Sequence, residues 1–292
     1  MCSGGKAMIT CHGGKSGRHN CAIGLVQMHA KMKDIGANTQ EIKKRVEEAA
    51  EKKANLIITP EVALTGWQFQ MDDWRAVAQE IPGPATEEIG AVAKKANAYV
   101  VLGMVEKAGE NLYNAAAIID PKGNLVRRYR KTHLWSFEHE IFRPGEELCL
   151  VDMEFGWVGI SICYDACFPE YIRALAVQGA TIVSHSTFWL ANEPFNAFGN
   201  KMEIYQSFCR TRAFENQVYF ASANRVGNDD FLYGLGNSVV MTPWGDIAGK
   251  LYQTPGTLVV HTEWEKLPAW QKMEPLWPDR RPEFYRGKLD FS

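Results

Sequence analysis

The sequence predicts an α/β fold, in which short apolar strands alternate with amphipathic helices. Residues 22–28 and 56–59 have the length and composition of buried strands. Between them, Asn38 can cap a helix, and apolar residues recur at helical spacing at 42, 46, 49 and 50. A strand, a helix and a second strand in this order predict a β-α-β unit with parallel, adjacent strands.

The rest of the chain continues this alternation. Proline at the second position predicts a hairpin turn at 121–124, and 243–246 forms a similar turn. These turns and two similar helix–strand junctions suggest two related halves, but no linker separates them. We therefore expect one domain over residues 21–292, with a tail from about 267 that packs against another surface, such as a partner subunit. Further helices are predicted at 86–96, 169–178 and 202–215, and further strands at 99–105, 114–120, 125–129, 181–185, 218–223, 238–241 and 257–260.

Composition excludes several classes of protein. The 292 residues are 46% hydrophobic and 23% charged, which is ordinary for a soluble globular protein. The formal net charge of −2 gives no reason to expect a nucleic-acid partner. No apolar run approaches the roughly 20 residues that a membrane-spanning helix needs.

The N-terminus and the cysteines indicate the compartment. Residues 1–20 are rich in Gly, Ser, Lys and His and lack the apolar segment of a secretory signal. We expect them to form a flexible extension. The seven cysteines are odd in number and follow no spacing pattern, which predicts reduced thiols and a cytoplasmic protein.

Cys163 is the first candidate for chemistry. It ends an apolar strand over residues 157–162 and precedes a predicted helix from Pro169. A cysteine at such a bend is exposed, and a nearby helix N-terminus would favour its thiolate. The competing interpretation is that Cys163 is a small hydrophobic residue of the core.

Glu61 and Lys131 also follow predicted strands. Because the carboxyl ends of strands gather at one edge of an α/β sheet, we expect both to lie near Cys163. The carboxylate could take the thiol proton and pass it to a leaving amine, while the ammonium stabilises an oxyanion. A glutamate or a lysine taken alone is most often a solvated surface residue, so the prediction depends on the three residues together.

Two other kinds of site are disfavoured. Cys163 and Cys167 are spaced C-x3-C, but no second pair has zinc-ligand spacing, and His133, His139 and His185 are scattered. A cysteine–histidine hydrolase would need His133 or His185 as its base, and neither lies in a recognisable motif.

Three segments resemble the signatures of the nitrilase, or carbon–nitrogen hydrolase, superfamily. They are PEVALTGW at 60–67, YRKTHL at 129–134 and GISICYDACFPE at 159–170. The resemblance extends over about residues 20–286 and includes 212–217, 223–225, 236–238 and 279–282. Three ordered motifs at these separations make the resemblance specific.

The resemblance implies a four-layer α-β-β-α sandwich of two mixed sheets flanked by helices. It also implies Glu61 as general base and acid, Lys131 as oxyanion stabiliser and Cys163 as nucleophile. The reaction would form a thioester, release ammonia or an amine, and end in hydrolysis without a metal or organic cofactor. Many members carry a second glutamate four residues before the Phe of Phe-x-Pro-Gly. Here that residue is Glu138, with Glu140 as its competitor, and it would orient Lys131 and the attacking water.

The residues after Cys163 favour one branch of the superfamily. Nitrilases usually have Cys-Trp-Glu, whereas this chain has Cys163-Tyr164-Asp165, as amidases and carbamoylases do. We therefore expect a small linear amide as substrate, with carbamoyl compounds or nitriles as alternatives. Acyl transfer and a catalytically idle binding subunit remain further alternatives, although the intact triad counts against the latter.

The substrate pocket is expected to be largely aromatic, although each of these rings could instead pack in the core. A cationic pocket for a substrate carboxylate would draw on Arg173, Arg210 or Arg212, of which Arg212 is expected to pair with Glu215 instead. The family commonly pairs subunits across a helical face, here 169–178 with 202–215, so a homodimer or higher homo-oligomer is expected. The candidate pocket residues are Trp67, Phe137, Tyr164, Phe188, Trp189 and His133.

Overall fold

Six strands form a first mixed sheet, called sheet A. The computed structural model describes residues 20–190, 199–229 and 232–288. The strand order is β14-β1-β2-β3-β4-β5, in which β1, β2 and β3 are parallel. The predicted β-α-β unit is confirmed. The strands are β1 (Ala22–Gln27), β2 (Leu56–Ile58), β3 (Tyr99–Ala108), β4 (Asn111–Ile119), β5 (Leu125–Arg130) and β14 (Gly256–His261).

Six further strands form sheet B, and two more form a separate hairpin. The order in sheet B is β13-β12-β9-β8-β7-β6, with β7, β8 and β9 parallel. Strands β10 and β11 pair with each other, and Gly234 of β11 also forms an isolated bridge with Leu190. The strands are β6 (Leu150–Met153), β7 (Gly156–Ile162), β8 (Ile182–Thr187), β9 (Tyr219–Asn224), β10 (Val226–Asp229), β11 (Leu232–Leu235), β12 (Val239–Met241) and β13 (Ile247–Lys250).

The parallel strands β1 and β2 of sheet A, and most of β3, are buried on both faces, which explains their continuous hydrophobic runs. Leu56 and Ile58 face a core shared with Ile160 of β7, whereas Ile57 faces the other way. On that outer side it packs with Ile42 of the first helix. The helices are α1 (Ile35–Glu51), α2 (Met71–Val77), α3 (Pro84–Ala96), α4 (Glu138–Ile141), α5 (Pro169–Val177), α6 (Lys201–Asn216), α7 (Leu267–Met273) and α8 (Pro282–Tyr285).

The layers follow from this packing. Helices α1 and α3 cover the outer face of sheet A, and the two sheets face each other across an apolar core. Helices α5 and α6 pack on sheet B, where Gly159 of β7 lies against Leu175 of α5. The predicted four-layer α-β-β-α sandwich is confirmed.

One helix boundary was predicted wrongly. Helix α1 begins at Ile35 because Asp34, not Asn38, caps it and accepts from the N–H of Ala37 at 2.9 Å. Asn38 is instead buried, and its side-chain amide forms hydrogen bonds with the backbone of Lys31 and Leu64. Aspartate and asparagine are both good caps, so the sequence could not choose between them.

Several short elements were not predicted. Strand β13 is half exposed and contains only two apolar residues in four, so it has no apolar run. Helices α2 and α4 lie in segments for which the sequence predicted neither a helix nor a strand. Apart from Asn20, the predicted N-terminal extension lies outside the described residues.

The C-terminal segment packs on its own chain. Gln217 Nε2 donates to the Glu274 carbonyl at 2.7 Å, and the Trp264 ring lies edge-on to Tyr219 with centroids 4.8 Å apart. A contact of this tail with a second subunit stays a prediction. Within the described ranges, no helix is long and apolar enough to cross a membrane.

Candidate active site

The sequence-predicted triad converges on one cavity, but from two sheets. Glu61 follows β2 and Lys131 follows β5, both in sheet A, whereas Cys163 follows β7 in sheet B. All three line the same cavity. The expectation of a single sheet edge was therefore wrong, because the residues meet where two facing sheets end.

Two of the three turns hold a strained backbone. Val62, directly after Glu61, has a φ of 46°, and Cys163 itself has a φ of 44°. Positive φ is rare for side chains with a Cβ, and it is an outlier for a β-branched residue. Such strain persists only where surrounding structure enforces it, and it concentrates at functional sites.

Two glycines allow the chain to pass close to these turns. A Cβ on Gly103 would lie 2.1 Å from the carbonyl oxygen of Pro60, which precedes Glu61. A Cβ on Gly145 would lie 2.1 Å from the carbonyl oxygen of Arg130. The N–H of Gly145 donates to the carbonyl of Lys131 at 2.8 Å. Glycine at these positions therefore fixes the backbone on which Glu61 and Lys131 stand.

A buried charge cluster occupies the floor of the cavity. We use this name for Glu61, Lys131, Glu138 and Asn114, each at most 1% exposed. Lys131 Nζ lies 2.8 Å from Glu61 Oε1 and 2.7 Å from Glu138 Oε2. Asn114 Nδ2 donates to the same two carboxylates, at 2.8 and 2.9 Å. Glu140, the competitor of Glu138, is exposed.

Backbone N–H groups donate further hydrogen bonds to the carboxylates of Glu61 and Glu138. Glu61 Oε2 accepts from the N–H of Phe188 at 2.8 Å, and Glu138 Oε2 accepts from the N–H of Trp135 at 2.7 Å. A carboxylate oxygen can accept about two hydrogen bonds. Among the contacts of the described residues, Oε1 of Glu61 is therefore filled, while Oε2 keeps one lone pair open. That oxygen is the one able to take a proton.

Asn114 was missed by sequence reasoning. It lies on β4 directly before an apolar run, and a single asparagine in a strand matches no sequence motif that would mark it as a site residue. Its N–H groups fix both carboxylates, and its backbone carbonyl accepts from the N–H of Lys131 at 2.8 Å. Asn114 Oδ1 is buried without a hydrogen-bond partner among the described atoms.

The pKa values of the charge cluster reflect burial and mutual charge. Burial opposes the charge on Lys131, but the carboxylates of Glu138 and Glu61 outweigh it and raise the pKa of Lys131 well above its usual range. Burial, assisted by the Glu61 charge, raises the pKa of Glu138 against the opposing effect of Lys131. Lys131 therefore stays positively charged at neutral pH. Burial makes Glu138 easier to protonate than an exposed glutamate.

Cys163 does not rest as a thiolate. Burial, and then the Glu61 charge, raise the pKa of Cys163 well above its usual range, although Lys131 opposes them. Residues Cys163–Cys167 form a 3-10 turn, and α5 begins only at Pro169. The expectation of a thiolate favoured by a helix N-terminus was wrong, because desolvation is the larger effect. A thiol in this setting needs a base before it can attack.

A third buried carboxylate, that of Asp165, fixes the turn beside Cys163. We call Asp165, Tyr129, His133 and the N–H of Ile162 the Asp165 network. Asp165 accepts from the Tyr129 hydroxyl at 2.7 Å, from the N–H of Ile162 at 2.8 Å and from the N–H of His133 at 3.0 Å. The His133 ring nitrogen Nδ1 lies 2.9 Å from the same carboxylate.

Neither histidine proposed as an alternative base is available to Cys163. His133 is held by Asp165 and stacks on Phe168 at 4.0 Å between centroids. His185 is bonded to Ser161 Oγ at 2.9 Å, and burial lowers the pKa of His185 to about 3. In the part of the chain that the structure describes, no group of His, Cys, Asp and Glu is arranged to hold a metal ion.

Half of the predicted pocket residues line the cavity. Trp67 packs edge-on against Phe137 and Phe188, with centroids 5.8 and 5.7 Å apart, and all three line it. Tyr164 packs on Phe168 and Trp189 packs on Tyr205, so neither they nor His133 are among the lining residues. The lining residues that were not predicted are Trp135, Leu190 and Leu232.

The candidate arginines lie away from the cavity lining. Arg212 donates to the carbonyl of Ala166 at 2.9 Å and pairs with Glu215 at 3.0 Å, as predicted. Arg173 lies over the Trp277 ring, 5.2 Å from its centroid.

Comparison with known proteins identifies the family. The family model described as carbon-nitrogen hydrolase matches residues 22–272. This chain belongs to the carbon–nitrogen hydrolase family. Its relatives include a nitrilase of Pyrococcus abyssi, 31% identical over 269 residues, which cover 90% of this chain and 98% of the relative. The human omega-amidase NIT2 is 29% identical over 257 residues, covering 84% of this chain and 89% of its own.

Solved structures of this hydrolase family share the fold. A carbon-nitrogen hydrolase from Helicobacter pylori superposes with a TM-score of 0.86 at 22% identity, over 93% of this chain and 99% of its own. An amidase from Nesterenkonia sp. gives a TM-score of 0.73 at 27% identity, over 92% of this chain and 96% of its own. A mutant of the Nesterenkonia AN1 amidase, 26% identical with a TM-score of 0.74 over 92% of this chain and 97% of its own, shows the acetamide moiety of fluoroacetamide covalently added at the active-site cysteine.

Proposed function

We propose that this carbon–nitrogen hydrolase cleaves the C–N bond of a small linear amide through a thioester on Cys163. The observation that carries the proposal is a half-buried cysteine placed in one cavity with a carboxylate and an ammonium that share a hydrogen bond. Two amidases among its relatives, and the covalent adduct on the active-site cysteine of one, support the amide as substrate.

The first step generates the nucleophile. The thiol of Cys163 transfers its proton to Glu61 Oε2, the oxygen with an open lone pair, as sulfur bonds to the amide carbon. The raised pKa of Cys163 keeps the thiol neutral until substrate arrives. Coupling proton transfer to attack avoids placing a free thiolate beside the carboxylate of Glu61.

The second step expels the amine. Lys131 stabilises the oxyanion together with the N–H that follows Cys163, since the first N–H groups of a helical turn have no partner within it. When the oxyanion collapses, the C–N bond breaks and the proton on Glu61 passes to the departing nitrogen. Ammonia or an amine leaves, and the acyl group stays on sulfur as a thioester.

The third step hydrolyses the thioester. Glu61, again a base, takes a proton from water as the water oxygen attacks the acyl carbon, and that proton returns to the sulfur. Glu138 holds Lys131 in place through its 2.7 Å contact and lies close enough to help orient the water. The products are a carboxylic acid and the free enzyme.

The test is ammonia release from a panel of small amides, comparing wild type with Cys163→Ala and Cys167→Ala. We expect loss of turnover in Cys163→Ala and activity close to wild type in Cys167→Ala, since Cys167 does not line the cavity. Mass spectrometry of a slow amide should show one acyl group on Cys163. Turnover that survives Cys163→Ala would reject the mechanism, and an inert wild type would reject the function.

A nitrile or a carbamoyl compound is the second candidate substrate, favoured by the nitrilase among the relatives. Both belong in the same panel. A nitrile would form a thioimidate on Cys163, which becomes a thioester when water adds and ammonia leaves, whereas a carbamoyl compound would expel its amine directly and leave a carbamoyl group on sulfur. Hydroxylamine added to the reaction would yield a hydroxamate if acyl transfer competes with hydrolysis. Pairing of subunits in a homo-oligomer is tested by light scattering of the purified chain.

A further inference from the structure

The register of sheet B places Thr187 beside Cys163. Strands β7 and β8 are parallel, with Ser161 opposite His185 and Ile162 opposite Ser186. Ser161 Oγ and His185 Nδ1 are 2.9 Å apart, so the side chains of that face touch across the two strands. Side chains alternate between faces along a strand. The last paired positions are followed by Cys163, which turns out of β7 with a φ of 44°, and by Thr187, the last residue of β8, so the two residues lie at neighbouring strand ends.

The Thr187 hydroxyl is buried and makes no hydrogen bond of ordinary geometry to any residue that the structure describes. Thr187 is the last residue of β8 and is 0% exposed. Its Oγ1 has no hydrogen-bond partner of ordinary geometry among the atoms that the structure describes. A buried hydroxyl without a partner destabilises a protein, so its presence calls for an explanation.

The Thr187 hydroxyl favours negative charge on the sulfur of Cys163. Burial and the Glu61 charge raise the pKa of Cys163, while Lys131 and then the Thr187 hydroxyl act in the opposite direction. The charged groups facing the sulfur are thus Glu61 and Glu138, which disfavour its negative charge, and Lys131, which favours it. Thr187 is the one neutral donor in this set.

We propose that the Thr187 hydroxyl is a donor reserved for the sulfur of Cys163 in its anionic form. It makes no ordinary hydrogen bond in the resting enzyme and donates to the sulfur as negative charge develops there during transfer of the thiol proton to Glu61. It donates again as the thiolate leaves during thioester hydrolysis. An interaction made only with the charged sulfur lowers the barrier without stabilising the resting state. The role in turnover rests on the proposed function, but the ionisation of Cys163 does not.

Two neighbours on the same strand provide controls. Ser184 and Ser186 of β8 also have buried hydroxyl oxygens without a partner among the described atoms. They alternate with His185 and Thr187, so their side chains lie on the opposite face from Cys163. If any unpaired hydroxyl in this strand affected Cys163 indirectly, substitution of Ser184 would show it.

The experiment measures the pH dependence of Cys163 alkylation by iodoacetamide in Thr187→Val, Thr187→Ser and Ser184→Ala, with Cys163→Ala as the background. Thr187→Val removes the hydroxyl at nearly constant shape. We expect its apparent Cys163 pKa to rise by about one unit and its kcat to fall on the order of tenfold, as for loss of a hydrogen bond to a charged group. Thr187→Ser and Ser184→Ala should match wild type.

Thermal unfolding separates this role from a structural one. Replacing an unsatisfied hydroxyl by a methyl group should leave the Tm of Thr187→Val unchanged or higher. If Thr187→Val does not fold, Thr187→Ala is measured in the same way. An unshifted pKa in the folded variant would overturn the proposal, even where amides are hydrolysed. A shifted pKa in an enzyme that hydrolyses no amide would uphold it and reject the proposed function instead.

Discussion

Two buried carboxylate networks lie on either side of Lys131 and Cys163, and they are built differently. In the charge cluster, two carboxylates share one ammonium and one amide. In the Asp165 network, one carboxylate accepts from two backbone N–H groups, a phenol and an imidazole. The first arrangement couples the protonation states of its members, whereas the second saturates a single anion with donors.

Their positions in the chain explain the difference. Tyr129 and His133 flank Lys131, while Ile162 and Asp165 flank Cys163, so the Asp165 network ties the two turns together across the sheets. The charge cluster instead surrounds Lys131 and Glu61 on the side of sheet A. We infer that one network sets proton affinity and the other sets the distance between cation and nucleophile. Substitutions in the two should therefore have different signatures.

Lys131→Met should have the largest effect, because it removes the only cation of the charge cluster. Two carboxylates would remain buried without their charge partner, which typically destabilises a protein by about 3–5 kcal/mol. Loss of an oxyanion donor should also lower kcat on the order of 10²–10³. Urea unfolding and steady-state kinetics measure the two effects.

The matched variants for Lys131→Met separate stability from catalysis. Adding Glu138→Gln to Lys131→Met removes one buried charge, so stability should partly return while kcat stays low. Lys95→Met breaks an exposed pair with Glu47 and should change neither quantity. Wild-type stability in Lys131→Met would show that the buried carboxylates do not depend on it.

Asp165→Asn should have the next largest effect, with a different pattern. The amide keeps the shape but presents N–H groups to donors, so part of the network is lost at about 1.5–3 kcal/mol. We expect kcat to fall on the order of tenfold as the two turns shift, with KM and the alkylation pKa of Cys163 nearly unchanged. A shifted Cys163 pKa would contradict the separation of the two networks.

The fall in stability at alkaline pH tests whether the folded protein keeps Cys163 protonated. An unfolded thiol ionises near pH 9, whereas burial keeps the folded Cys163 protonated far above that. The contribution of Cys163 to the free energy of unfolding is fully present below pH 9. It is lost as pH rises above 9, because the native state then binds more protons than the unfolded state. Cys163→Ala should make the decline shallower by up to about 1.4 kcal/mol per pH unit.

Cys167→Ala is the matched control for the alkaline limb. Burial raises the pKa of Cys167 only to about 11, so its contribution is confined between about pH 9 and 11. Above that window the Cys167→Ala curve should run parallel to wild type, while the Cys163→Ala curve continues to diverge. Parallel Cys163→Ala and wild-type curves throughout would mean that Cys163 ionises normally.

The sequence predicted the layers and the meeting of Glu61, Lys131 and Cys163 in one cavity more reliably than the surroundings of these three residues. Strands buried on both faces produce long apolar runs, so sheet A was visible in the sequence. The signatures around Glu61, Lys131 and Cys163 are local, which made these residues easy to find. Asn114 and the donors to Asp165 come from separate elements, and only the folded chain shows that they meet.

Charge and burial were the least predictable features. The thiolate expected at Cys163 followed from its position before a helix, but desolvation by the surrounding core outweighs the dipole of a short 3-10 turn. The aromatic residues near the cavity were equally ambiguous, because Trp67 and Trp189 both follow strand ends. Only packing shows that Trp67 lines the cavity while Trp189 packs on Tyr205.

Tyr129→Phe should have the smallest effect and the sharpest bearing on the Asp165 network. It removes one of the donors to Asp165 while keeping the ring, so we expect a loss of about 1 kcal/mol and a several-fold lower kcat. In the double variant with Asp165→Asn, the loss should be smaller than the sum of the losses in the two single variants, because both substitutions act on the same hydrogen bond. Strict additivity in urea unfolding and in kcat would mean that the Tyr129 hydroxyl acts independently of Asp165.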